Sequence, residues 1–240
     1  MENLNQRNGK VIIVGNQKGG TGKSLVTTLL ANTLHQLDET IKVLVVDLDD
    51  LQETLYSKRL QELSEPKTKE KLEKNNLSAY CILTMNSQDF TDEKHAELCS
   101  EYDFIFLDMP GNLKQEGVMG AYLFADYLFI PMGDSFADLD SSKKFIDFYL
   151  ENVKVSRDSI NLTTHVYGFF SRVKANESLF KQAYAKKDDL TYWRIPFFKN
   201  IIPDNTTSFK KEFSTIIPYK SKKKNDYEDF IEEAIQVILQ

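Results

Sequence analysis

A chain of 240 residues with 41% hydrophobic and 28% charged positions can bury one large α/β core or two small ones, which excludes collagen-like, mucin-like and wholly disordered classes. Its formal charge of −6 argues against whole-surface attraction to nucleic acid. No apolar run reaches the roughly 20 residues that cross a bilayer, the longest (121–132) being broken by Asp126.

The polar start MENLNQRNGK is not expected to be a secretory signal. Residues 10–15 (KVIIVG) form a short apolar run closed by glycine, the pattern of a buried strand. From 24 to 37, Val26, Leu29, Leu30, Thr33, Leu34 and Leu37 recur at the spacing of a one-sided helix. Residues 41–47 (IKVLVVD) form a second β-rich run, and strand, helix and strand together favour a parallel sheet. The polar stretch at 51–76 is expected to be a helical insertion on the same domain. Further strands are predicted at 78–84, 102–108, 126–132 and 165–170, with a short helix at 92–100. The alternation predicts one doubly wound, mostly parallel α/β domain over 1–240, with helices on both faces.

Cys81 and Cys99 fit neither a disulfide framework nor a CxxC metal site, and both are expected in or near the core of a reduced, cytoplasmic protein. His35, His95 and His165 show no metal-ligand spacing. The tail at 226–240 places Tyr227, Phe230, Ile231, Ala234, Ile235, Ile238 and Leu239 on one helical face. Its charged residues are all acidic, whereas a membrane-surface helix carries lysine and arginine, so the face is expected to pack on the core. Charge is uneven just before it. Between 196 and 225 stand Lys199, Lys210, Lys211, Lys220, Lys222, Lys223 and Lys224 against Asp204 and Glu212, a local basic patch on an acidic chain.

The stretch with most chemical content is GNQKGGTGKS at 15–24, between the first strand and the first helix. The strict GxxxxGK[ST] pattern needs glycine at 17, where this chain has Gln17; what stands here is KGGTGKS, a lysine-first variant. Gly19, Gly20 and Gly22 let successive backbone N–H groups point into one concavity. The loop opens onto a helix N-terminus, whose unpaired amides favour phosphate. Lys23 would neutralise the outer phosphates and the Ser24 hydroxyl would ligate Mg²⁺. Such a site calls for acids at the carboxyl ends of neighbouring strands. Asp47 and Asp49 end the second strand and Asp108 ends YDFIFLD.

At these residues the chain resembles the ParA/MinD group of deviant Walker A ATPases, most closely small ParA-type partition proteins. KGGTGKS at 18–24, VVDLDDLQ at 45–52, FIFLDMPG at 104–111, ADYLFIPM at 125–132 with LDSS at 139–142, and IPFFKN at 195–200 are similar to its motifs, nearly end to end. The resemblance implies a P-loop NTPase fold and an ATP- and Mg²⁺-dependent sandwich homodimer. In it Lys18, Gly19, Gly20, Thr21, Gly22, Lys23, Ser24 and Leu25 would cradle the nucleotide. Lys18 would also reach the partner's nucleotide. Ser24 would bind Mg²⁺ directly and Asp108 through water. Asp47 would support the metal region and Asp49 would position the attacking water. Positioning and charge compensation suffice for phosphoryl transfer. Slow basal turnover is then expected, raised by a ParB-like centromere-binding partner. DNA would be bound without sequence preference by Lys210, Lys211, Lys220, Lys222, Lys223 and Lys224.

Two departures stand out. Asp50 and Leu51 occupy places where the family usually has proline and glutamine, with Gln52 one place late. Ser171, beside Arg172, stands where an adenine-reading asparagine often sits, so ATP follows from the family rather than from base-reading residues. Arg172 itself is open between a DNA contact, a nucleotide contact and a solvated arginine.

The leading expectation is a partition ATPase, nucleoid-associated in the cytoplasm, that segregates a plasmid, mobile element or chromosome region. A MinD-like membrane-cycling regulator is disfavoured by the acidic tail helix. A metal-cluster assembly factor would be expected to carry a CxxC pair, and Lys18 argues against ligases with ordinary loops. A non-hydrolysing adaptor switched by ATP is a further alternative. The short stretch before the first strand leaves no expectation of an N-terminal helix-turn-helix domain, hence none of operator-specific repression.

Overall fold

The computed structural model describes residues 9–38, 40–48, 54–174, 176–204, 214–216 and 227–240. Chain order runs β1 (Lys10–Val14), α1 (Lys23–Leu37), β2 (Val43–Asp47), α2 (Thr54–Ser64), α3 (Pro66–Asn75), β3 (Cys81–Thr84), α4 (Asp92–Glu101) and β4 (Phe104–Asp108). Then come α5 (Val118–Tyr122), β5 (Tyr127–Met132), α6 (Phe136–Phe148), a wider turn at Tyr149–Lys154 and α7 (Val155–Asp158). β6 (His165–Val173), α8 (Ser178–Ala185), α9 (Leu190–Trp193), β7 (Ile202–Pro203) and α10 (Glu228–Leu239) complete it.

The strands form one seven-stranded sheet in the order β3-β2-β4-β1-β5-β6-β7, with every pairing parallel. The continuous apolar runs of β1, β2, β4 and β5 follow from this position, because a central parallel strand is covered on both faces. Alternate residues serve opposite cores. Val11 and Ile13 of β1 join Leu98 of α4, Tyr122 of α5 and Phe145 of α6, whereas Ile12 and Val14 join Leu30 of α1 and Phe230 of α10. Burying each such side chain contributes about 1.5–3 kcal/mol, so these two layers hold the sheet between them.

The apolar face of α10 packs inward except at Leu239, expected on that face but exposed at the end of the helix. Phe230 lies 4.5 Å from the Phe169 ring, and Lys10 Nζ donates to Ile238 O at 2.9 Å. Its exposed side carries Glu228, Asp229 and Glu232. Two expectations are corrected at the edges of these layers. Cys81 is exposed, since β3 is the last strand on its side of the sheet; Cys99 is buried. Leu37, assigned to the apolar stripe of α1, is exposed in its final turn.

The strand order sets the position of any ligand. Chain progress from β1 goes leftward through β2 and β3, returns to β4, and then crosses to β5 on the other side of β1. The β1–α1 connection therefore opens at the carboxyl end of β1, flanked by β4 and β5, at the reversal of strand order where open α/β sheets bind ligands.

Candidate functional site

Residues 15–22 connect β1 to α1. Asn16 is fully buried. Its Nδ2 donates to Pro131 O at 2.7 Å and to Ser142 Oγ at 2.8 Å, and its Oδ1 accepts from Lys18 N at 3.1 Å. One side chain thus ties the first turn of the loop to β5 and α6. Gln17 adds a bond from Nε2 to Ser141 O at 3.0 Å, and Thr21 Oγ1 donates to Lys18 O at 3.3 Å.

Further along, Gly20 and Gly22 adopt φ of 75° and 92°, a left-handed region that costs an L-residue about 1–2 kcal/mol. Gly22 also stands at the N-cap of α1, and no side chain caps the helix there. The first amides of α1, those of Lys23, Ser24 and Leu25, have no partner within the helix and carry its positive dipole end. A Cβ added at Gly19 or Gly20 would meet nothing within 4 Å, so the space above the loop is open.

Lys23 is buried, at 8% exposure, with Nζ turned back to donate to Lys18 O at 3.3 Å. A Cβ at Gly111, three residues past the end of β4, would lie 3.7 Å from that Nζ. The ammonium therefore bridges the loop and the β4 end. Asp47 and Asp108 end β2 and β4 in direct register, and Asp108 also pairs with Val14 of β1. Both are buried, at 1% and 4% exposure. Buried carboxylates are costly unless hydrogen-bonded or matched by a cation. Asp47 meets part of that cost: Oδ2 accepts from Leu55 N at 3.0 Å and Tyr56 N at 3.5 Å, an anionic cap on α2.

The opposite flank of the loop is built from α6 and β6. Lys18 Nζ lies 3.6 Å from Asp138 Oδ1, and the same carboxylate accepts from Ser135 Oγ at 2.6 Å. Arg172 Nη1 donates to Gly20 O at 2.7 Å, and Ser171 Oγ faces Gly22.

Lys18, Gly19, Gly20, Thr21, Gly22, Lys23, Ser24 and Leu25 are thus gathered with Asp47 and Asp108 at the carboxyl ends of β1, β2 and β4. Asp49 and Lys210, Lys211, Lys220, Lys222, Lys223 and Lys224 lie outside the described residues. Sequence reasoning missed Asn16 and Asp138. The first carries a weak signal, a polar residue straight after a strand-closing glycine; the second depends on α6 reaching the loop.

It also missed a clamp behind the site. Arg59 of α2, stacked 4.3 Å over the Tyr80 ring, donates to Tyr80 O and to Thr215 Oγ1 and O, and Glu62 accepts from Thr215 N.

Chemically, the cradle fits a phosphate chain: open space over glycine backbone, an uncapped helix start and one buried ammonium. The Ser24 hydroxyl and Asp108 carboxylate are hard oxygen donors of the kind that hold Mg²⁺ together with phosphate oxygens.

Comparison with known proteins agrees with this geometry. The profile of the family described as ATPase MipZ matches residues 10–170. Among solved structures, a plasmid partition protein of Borrelia burgdorferi bound to AMPPNP is 21% identical, with TM-score 0.61, over 97% of this chain and 98% of that one. The MinD cell division protein of Aquifex aeolicus is 17% identical, with TM-score 0.62 and the same two coverages, 97% and 98%. The septum site-determining protein MinD of Pyrococcus horikoshii, complexed with Mg-ADP, is 20% identical, with TM-score 0.59 and 95% coverage of each chain. At these identities the likeness is one of fold. No curated protein sequence matches the chain.

Proposed function

The chain belongs to the ATPase MipZ family of the ParA/MinD group, and from that premise we propose that it is an ATP-switched partition ATPase that dimerises, binds DNA without sequence preference and segregates a DNA cargo. The observation that carries the reading is the buried Lys23 at the end of a glycine loop, its Nζ reaching toward Gly111 just past β4, the strand that Asp108 closes in register with Asp47 of β2.

In this reading the loop amides and Lys23 bind the phosphates of ATP and compensate their charge. Ser24 would ligate Mg²⁺ and Asp108 would hold a water of its shell. The bound ion would add charge neutralisation for phosphoryl transfer. Asp47 would keep the metal side rigid through its cap on α2, and Asp49 would orient the attacking water. Lys18 would leave Asp138 and cross to the nucleotide of a second copy. The plasmid, mobile element or chromosome region would be coupled through a ParB-like partner.

The inward apolar face of α10 supports DNA over a membrane as the surface on which the protein cycles. Among the described residues no helix is long and apolar enough to cross a membrane.

A mobility-shift titration on random duplex DNA, with light scattering in parallel, tests the reading. A dimer mass and DNA retention are expected with ATP, and a monomer without retention is expected with ADP. If two subunits neutralise about six phosphates, the log–log slope of affinity against salt is about −5. Replacing Lys220, Lys222, Lys223 and Lys224 with alanine should weaken all sequences alike, since backbone contacts read no base edges. Equal retention by that variant moves the DNA surface elsewhere, and retention independent of nucleotide overturns the switch.

A further inference from the structure

Arg172 closes the β6 side of the loop in a conformation that the local sequence does not favour. Its φ is 57°, in the left-handed region that residues other than glycine rarely adopt. The neighbours impose it from both sides. Ser171 pairs with Ile202 and Val173 with Pro203 across a register shift; Asp204 N donates to Val173 O at 2.9 Å; Lys174 N donates to Asp134 Oδ2 at 3.0 Å. A strained residue held in this way at a ligand loop is an outlier from which function can be inferred.

The side chain lies against the glycine loop. Besides the bond from Nη1 to Gly20 O at 2.7 Å, a Cβ built on Gly22 would lie 3.6 Å from Arg172 Cδ and 3.1 Å from Ser171 Oγ. That Ser171 hydroxyl is buried and, among the described residues, without a partner. Any side chain at 22 would therefore crowd the arm that Arg172 extends.

Charge identifies what the arm is for. A guanidinium offers five N–H donors in a planar fork, and the Gly20 carbonyl takes one. Among the described residues Arg172 makes no ion pair, although Asp134 lies close enough to bond the next-but-one backbone amide. Its remaining donors stand beside the uncapped start of α1, where positive potential already accumulates.

We propose that Arg172 is a phosphate-contacting residue, a second cationic arm that meets the nucleotide's phosphate chain from β6 while Lys23 meets it from the β4 side. The inference rests on the phosphate-site reading above. It assigns Arg172 to charge, so ATP, ADP and GTP should depend on it alike, and base discrimination lies elsewhere.

Calorimetric titration of ATP, ADP and GTP with Mg²⁺ into the full chain tests this with Arg172→Lys, Arg172→Gln and Arg172→Gly. Gln keeps a donor for Gly20 O but loses the charge, and affinity for all three nucleotides should fall about tenfold. The deficit should shrink as salt is raised from about 50 to about 500 mM. Lys keeps the charge but not the planar fork, so it should lose less affinity than Gln while falling short of wild type. Gly relieves the left-handed strain, so its nucleotide-free melting temperature should be no lower than wild type while its affinity falls as far as that of Gln. This separates a lost contact from a damaged fold. Arg172→Gln within twofold of wild type overturns the assignment, as does a loss confined to ATP and ADP with GTP spared, which would mark base reading. A wild-type chain that binds none of the three removes the phosphate-site reading itself, and this inference with it.

Discussion

On the β4 side of the glycine loop, Asp47 and Asp108 are buried at the ends of adjacent strands; on the β6 side, the loop is held by the amide of Asn16, the ammonium of Lys18 and the guanidinium of Arg172. The difference separates two tasks. Carboxylates on one flank suit a divalent cation and the water around it. Donors on the other suit the anion, and the bonds of Asn16 and Arg172 fix the loop's shape before anything binds, which reduces reorganisation in the binding step. Lys23 belongs to both, since its Nζ reaches from Lys18 O toward Gly111 behind β4.

The largest expected effect follows from breaking the residue that joins the flanks. Lys23→Ala leaves the loop amides without their buried ammonium, and one charge-assisted phosphate contact is worth about 1.5–3 kcal/mol, or more where water is excluded. ATP affinity by calorimetry should fall by about 100-fold or more. A value within threefold of wild type would mean that the phosphates bind elsewhere.

Breaking the donor flank should act on the fold before it acts on the ligand. Asn16→Ala leaves the buried Pro131 carbonyl and the Ser142 hydroxyl without a donor and frees Lys18 N. Each buried polar group left unpaired costs about 1–3 kcal/mol, so urea unfolding without nucleotide should show a loss of about 2–4 kcal/mol at an unchanged m-value. Asn16→Asp, which cannot donate to Pro131 O, should behave similarly. An unchanged midpoint in both would mean that the loop's shape does not depend on this side chain.

Much of this arrangement was legible in the residues themselves, unevenly between the flanks. The strands stood out because a strand covered on both faces leaves an apolar run, and Asp108 stood out because a carboxylate closes such a run. Their bounds moved where side chains compete for the backbone. The strand expected at 78–84 begins only at Cys81, because the Tyr80 carbonyl is taken by Arg59 rather than by a neighbouring strand. The donor flank was harder to read. Asp138 lies 120 residues beyond Lys18, and Arg172 lies 152 residues beyond Gly20. These pairs meet because β5 and β6 fall to the right of β1, a strand order that no local pattern encodes. Leu37 and Cys81 misled for a related reason, since a helical stripe or an apolar run does not say where the sheet ends.

The smallest effect in the isolated chain, and the most discriminating, belongs to the Lys18–Asp138 pair. At 3.6 Å, with side chains 43% and 23% exposed, it contributes at most about 0–1 kcal/mol to the monomer after solvent screening. Lys18→Ala and Asp138→Asn should therefore unfold within about 1 kcal/mol of wild type. Their effects on assembly should differ in sign. Lys18→Ala removes the group proposed to cross to the second nucleotide, so ATP-dependent dimerisation measured by light scattering should weaken by about tenfold or more. Asp138→Asn removes an intrachain competitor for the same ammonium and should leave the dimer unchanged or strengthen it by up to about fivefold, the equivalent of a surface pair. Ser135 Oγ can still bond the asparagine carbonyl, which keeps the start of α6 in place and confines the change to Lys18. If both variants weaken the dimer equally, the pair itself is part of the interface. If neither changes it, Lys18 serves its own loop and does not cross.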